Sequence, residues 1–196
     1  MFYLIGGAPR VGKSIIAQVL TKSVKGRFVS TDDLENQSGR SSFVPFSSDP
    51  EKNTLAPSEL VKVLISDADL LQGDINKILK EAKAEKKDIV FEGVHLLPKY
   101  VSIYKEILGE ENFKIIFIGS TNTGLILQGM AENTSPDNWL KTFDQTVRKQ
   151  IALFANAFSK YLITETQKFS LLYKERSSDF QEDLTEIIKA LTINNN

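Results

Sequence analysis

The sequence predicts an α/β fold, a three-layer sandwich around a five-stranded parallel sheet, built by a single domain of 196 residues. Three observations predict it. Apolar runs of strand length alternate with longer segments of helical periodicity. Several of those runs are continuously apolar, as parallel strands covered on both faces require. The length suits one α/β domain with a small insertion and is too short for two ordinary domains with separate cores.

The elements follow in order. Residues 2–6 form an apolar run closed by glycine, read as the first strand. Residues 13–24 place Ile16, Leu20 and Val24 at helical spacing, and Lys25-Gly26 ends that helix. Arg27-Phe28-Val29-Ser30 is the second strand. Residues 35–57 are rich in Ser, Asn, Asp, Gly and Pro and read as a loop. A helix near 59–85 follows, with Leu60, Leu64, Ala68, Leu71, Ile75, Ile78 and Ala82 on one face and Gly73 as a point of division.

Residues 88–93 are the third strand, 98–108 a helix opened by Pro98, and 113–118 the fourth strand. Residues 120–134 are polar and carry no clear pattern. Ser135-Pro136 predicts the start of a helix over 137–163, with Trp139, Phe143, Val147, Ile151, Phe154, Phe158 and Leu162 as its core stripe. Residues 168–173 are the fifth strand. Ser178 and Gln181 form a capping box for a last helix carrying Phe180, Leu184, Ile188 and Leu191.

Composition narrows the function. The formal net charge is -1, without the broad basic field of a nucleic-acid binder. There is no cysteine, which excludes disulfides, thiolate metal sites and cysteine nucleophiles and suits a reducing cytoplasm. No apolar run approaches the roughly 18 residues of a membrane span. Met1 to Ile5 has no basic region before it and stops at Gly6-Gly7, too short for a signal-peptide core. The expected partner is a small molecule, not nucleic acid or membrane.

Gly7-Ala8-Pro9-Arg10-Val11-Gly12-Lys13-Ser14 matches the Walker A pattern in full, with a strand before it and a helix after it. The residue types suit phosphate. Glycines let backbone N–H groups turn inward, and the helix beginning near Lys13 presents its positive end to an anion. Lys13 adds a point charge at the β and γ phosphates of ATP, and Ser14 offers a hydroxyl to Mg²⁺. Arg10 is read as touching nucleotide or acceptor phosphate, with simple loop exposure as its alternative. GxGxxG is absent from this turn, which disfavours a Rossmann site.

Carboxylates follow two strands. Asp32 and Asp33 come after the second, and Glu92 lies at the end of the third. Ligands of an open parallel sheet gather at those carboxyl ends. Phosphoryl transfer needs a carboxylate to orient or deprotonate the acceptor, and oxygen ligands for the metal or its water. Asp32 or Asp33 is assigned to the acceptor, with Asp32 preferred and a capping role as the alternative for both. Glu92 is assigned to the metal's water shell, with acceptor activation as its other role. His95, the single histidine, is read as an acceptor contact, with a structural or exposed role as its alternative.

Glu92-Gly93-Val94-His95-Leu96-Leu97-Pro98 resembles the Glu-Gly-Val-His-Leu-Val-Pro segment of the 2-phosphoglycerate kinase family. Ser30-Thr31-Asp32-Asp33 is similar to that family's Ser/Thr-Asp segment after the second strand. The resemblance implies an ATP- and Mg²⁺-dependent kinase with a P-loop fold of the nucleoside-monophosphate-kinase type. On it, Lys13 and Ser14 serve ATP and Mg²⁺, and Asp32, Glu92 and His95 face the acceptor or the metal. It implies a small, anionic acceptor. A nucleoside or nucleotide kinase, and a nucleotide-binding regulatory module with little turnover, are the alternatives.

Segment 34–85 is the expected acceptor-binding region, where Arg40 is read as an anion contact. Region 120–150 is the expected lid. No arginine-rich lid stands out within 120–134, so Arg148 and Lys149 are its candidates. Arg176, after the fifth strand, is placed near the adenine by analogy of fold.

Overall fold

The computed structural model describes residues 1–38, 46–132, 140 and 143–193. Its centre is β1 (Phe2–Gly7), buried along its whole length. β3 (Ile89–Gly93) and β4 (Phe113–Gly119) flank it, and β2 (Arg27–Ser30) and β5 (Leu172–Glu175) form the edges. The order is β2-β3-β1-β4-β5, and every pairing is parallel. The burial explains the patterning. β1 and β3 are covered on both faces and are apolar almost throughout, whereas β2 and β5 carry exposed Arg27 and Leu172. This is the three-layer α/β architecture expected of a P-loop protein of the nucleoside-monophosphate-kinase type.

β1 runs into the Walker A loop and α1 (Lys13–Val24), which buries Ile16, Ala17 and Leu20. Helix directly follows β2, so residues 35–38 of the loop expected over 35–57 are helical instead. α2 (Thr31–Ser38) has Asp32 and Asp33 in its first turn, where carboxylates favour the helix dipole. Ser30 supplies a capping contact, its Oγ accepting from the Asp32 N–H at 3.2 Å. Neither aspartate is needed for it.

α3 (Pro57–Ala84) is one helix of 28 residues and does not divide at Gly73. A mid-helix glycine costs about 1 kcal/mol against alanine. A single buried leucine contributes about 1.5–3 kcal/mol, and the stripe from Leu60 to Ala82 holds several. Leu79 rather than Ile78 completes that stripe.

α4 is Val101–Leu108. α5 (Thr123–Glu132) fills part of the segment that lacked a pattern. Asn122 Oδ1 caps it by accepting from the Gly124 and Leu125 N–H groups, and Ile126 and Met130 turn inward. Ser135, Pro136, Trp139 and Arg40 lie outside the described residues.

α6 (Gln145–Lys168) starts at Asp144, whose Oδ1 accepts from the Val147 N–H at 2.8 Å. It runs beyond the expected end at 163 because Thr166 continues its buried face, so β5 begins later than expected. α7 (Phe180–Thr192) is capped by Asp179, whose Oδ1 accepts from the Gln181 and Glu182 N–H groups, not by Ser178.

Candidate active site

The Walker A loop is shaped by its backbone. A Cβ on Gly7 would lie 2.2 Å from the Ile118 carbonyl oxygen, so the loop can leave β1 this close to β4 only with glycine. Gly12 has φ +95 and lies against the Phe180 ring, which a Cβ would meet at 2.5 Å. Its carbonyl accepts from the Ile15 and Ile16 N–H groups, which starts α1 and aims the helix N-terminus into the loop.

Lys13 is buried, and its Nζ donates to the Ala8 carbonyl at 2.8 Å. Burial pushes its pKa down, opposed by the charges of Glu92 and Asp32. Ser14 Oγ donates to Glu92 Oε1 at 3.2 Å, and Ser30 Oγ donates to the same oxygen at 3.0 Å. Glu92 is brought there by sheet register, being paired with Ile5 of β1 on one side and Ser30 of β2 on the other. Burial raises its pKa above the usual glutamate range, with Lys13 pulling the other way.

His95 has both ring nitrogens engaged. Nδ1 lies 3.1 Å from Thr31 Oγ1, and Nε2 lies 2.8 Å from Asp67 Oδ2. With Asp67 ionised, Nε2–H donates to it and Nδ1 accepts the threonine hydroxyl. Glu35 Oε2 is 3.9 Å from the same Nε2. The histidine is almost wholly buried and ties the loop after β3 to α2 and α3, although it still lines the cavity. Gly93 permits this closeness. It has φ +151, and a Cβ there would fall 1.7 Å from Thr31 Oγ1.

These groups open on a cavity of about 610 Å³, lined among others by Pro9, Arg10, Gly12, Lys13, Ser14 and Asp32. Glu92, His95 and Arg176 also line it, whereas Asp33, Arg148 and Lys149 do not. Arg148 Nε donates to the Phe143 carbonyl at 3.0 Å, so the structure does not bring it to the loop as an acceptor contact. Burial lowers the pKa of Arg10, opposed by Asp32.

Arg176 Nη1 reaches toward the Arg10 carbonyl at 3.5 Å, and its Cζ lies 5.3 Å from the Phe180 ring centre. Its Nε is buried without a hydrogen-bond partner. That orphaned donor and the glycine-lined loop fit a bound nucleotide. The hydroxyl of Ser14 and the carboxylate of Glu92 fit a hydrated divalent cation, through oxygen ligands.

Three contributors escaped the sequence reading. Asp67 stands one turn after Leu64 on the buried face of α3, and a carboxylate in an apolar stripe was the signal for it. Glu35 lies three residues after Asp32, a spacing with meaning only once α2 is a helix. Phe180 was read as core and instead also walls the cavity.

Protein-family models give no match to this chain, and a search of curated proteins finds none. Solved structures do match. A sugar kinase from a Janibacter species is 11% identical with a TM-score of 0.53, covering 97% of this chain and 92% of its own. Shikimate kinase from Bacteroides thetaiotaomicron is 10% identical with a TM-score of 0.49, covering 97% and 95%. Shikimate kinase from Aquifex aeolicus is 15% identical with a TM-score of 0.48, again covering 97% and 95%. At these identities the likeness is one of fold.

Proposed function

We propose that this chain is an ATP- and Mg²⁺-dependent phosphotransferase acting on the hydroxyl of a small molecule. One observation carries the reading: the Walker A loop, the Ser14–Glu92 contact and Asp32 all face one cavity. The sugar kinase of the same fold supports phosphoryl transfer as its chemistry.

The step follows from the residues. α1 and the loop hold the triphosphate, and Lys13 offsets charge that develops on the transferring group. Asp32 orients the acceptor hydroxyl and takes its proton. The acceptor oxygen bonds to the γ-phosphorus as the β–γ bridging P–O bond breaks, and that electron pair leaves on ADP. Ser14 and the Glu92 carboxylate would hold Mg²⁺ or its waters, and the ion would supply charge neutralisation. Arg176 lies on the nucleotide side with Phe180.

Asp32, Glu92 and His95 in one cavity support a site of the 2-phosphoglycerate-kinase type. The resemblance also implies a small anionic acceptor, whose expected contact Arg40 lies outside the described residues. Among the described residues the cavity's cations are Arg10, Lys13 and Arg176, all at or against the Walker A loop.

The test is ADP release with MgATP against phosphorylated sugar acids, nucleosides, nucleotides and amino alcohols. Lys13→Ala should lower acceptor-stimulated turnover by about 10²–10³-fold with an unchanged circular dichroism spectrum. Tight MgATP binding without stimulation by any acceptor would favour a regulatory module instead.

A further inference from the structure

Arg176 is held firmly at its root and loosely at its tip. Its backbone N–H donates to the Gly119 carbonyl at 2.8 Å, at the end of β4. The next residue is tied as well, Ser177 N–H donating at 2.7 Å to Oδ2 of Asp183, which is buried in α7. The side chain therefore starts from a fixed point between two elements. Its Cζ lies 5.3 Å from the ring centre of Phe180, and that ring lies against Gly12 of the Walker A loop.

The guanidinium's hydrogen bonding is far from complete. It carries five N–H donors. Nε is buried without a partner, and Nη1 has one contact, with the Arg10 carbonyl at 3.5 Å, too long for a strong bond. Among the described residues no carboxylate pairs with Arg176. Glu132 also lines the cavity, and its Oε1 accepts from Gln128 Nε2 at 2.7 Å.

Gly129 shows where the terminal donors point. A Cβ there would stand 2.6 Å from Nη1, 3.1 Å from Nη2 and 3.3 Å from Cζ. It would be nearer both nitrogens than the carbon between them. The space left by the glycine therefore lies off the Nη1/Nη2 edge, not over the flat of the group. Glycine is a poor residue for the interior of a helix such as α5, and here it keeps that edge clear where both residues line the cavity.

We propose that Arg176 binds a phosphate group of the nucleotide through its Nη1/Nη2 edge, bringing the charge expected of a lid arginine. The proposal rests on the nucleotide-binding part of the reading above and names a residue that serves it. Two parallel N–H groups match two phosphate oxygens, a fit that lysine cannot make. Arg148 and Lys149 do not line the cavity, whereas Arg176 does so together with Gly12 and Lys13. A role at the adenine would stack the guanidinium on the base, but Phe180 already gives it an aromatic neighbour.

Calorimetric titration of the full chain tests this with three probes: MgADP, inorganic tripolyphosphate, which has no base, and adenosine, which has no phosphate. Arg176→Ala should weaken tripolyphosphate by about 10–100-fold, the scale of charge-assisted hydrogen bonds, and leave adenosine within about twofold. Gly129→Ala leaves the arginine in the chain and puts a methyl group at its edge. It should weaken tripolyphosphate severalfold without lowering the melting temperature, and it keeps the test open if Arg176→Ala does not fold.

Unchanged tripolyphosphate affinity in either variant overturns the proposal. So does an equal or larger loss for adenosine, which would put Arg176 at the base, or a parent chain that binds MgADP and not tripolyphosphate. A parent chain that binds neither would sink the nucleotide-binding reading itself.

Discussion

Ser14 Oγ donates to Glu92 Oε1 across 3.2 Å, joining the last residue of the Walker A motif to a carboxylate 78 residues further along the chain. The contact exists because β3 pairs with β1, so that Glu92 stands beside Ile5 just below the loop. It gives the cavity a hydroxyl and a carboxylate on one side of the phosphate cradle.

Glu92→Gln tests the electrostatics of that pair. Burial holds the Glu92 pKa above its ordinary value, so the folded state binds this proton more readily than the unfolded chain. The stability it contributes is present at low pH. It is lost as pH rises from about 4.3, the unperturbed glutamate value, through the folded value. The variant lacks this titration. The melting-temperature advantage of the parent over the variant should therefore shrink as pH rises above about 4, and an advantage that does not change with pH would contradict the assignment.

Asp32 and Asp33 share the first turn of α2, but only Asp32 lines the cavity. Asp32→Asn should lower kcat by about 10²–10⁴-fold, the usual worth of a positioned general base. Asp33→Asn should leave turnover near the parent's. Equal losses in the two variants, measured by ADP release, would remove Asp32 from its proposed role.

Gly93→Ala places a methyl group onto Thr31 Oγ1 at a backbone angle that side chains rarely adopt. It should cost about 1–3 kcal/mol, the scale of overpacking a filled interior, seen as a lower denaturant midpoint. An unchanged midpoint would show that Thr31 yields freely.

Asp67 and His95 should behave as one unit. A double-mutant cycle with Asp67→Ala and His95→Ala should give a coupling of about 0.5–3 kcal/mol in unfolding free energy. Additive losses would mean that the contact contributes nothing of its own.

The phosphate cradle was legible in the chain because its residues are contiguous. Gly7 to Ser14 carries its own backbone requirements, and the flanking strand and helix are local patterns. The parallel sheet was legible for the same reason, since strands buried on both faces announce themselves by composition. α2 was not, because seven of its eight residues are polar and its start depends on a cap from Ser30. Gly73 misled for the opposite reason, since its local cost is outweighed by the burial of α3 as a whole.

The sequence by itself determined a phosphate-binding loop, an α/β sandwich and a set of strand-end carboxylates. Only the tertiary structure decided which of those carboxylates share a cavity with the loop. Pairing of β3 between β1 and β2 set Glu92 beside Ser14 and Ser30. Packing of α3 against α2, α4 and α6 set Asp67 behind His95. Such contacts join residues tens of positions apart. They are chosen by strand order and by burial of the apolar faces, and no local spacing encodes them.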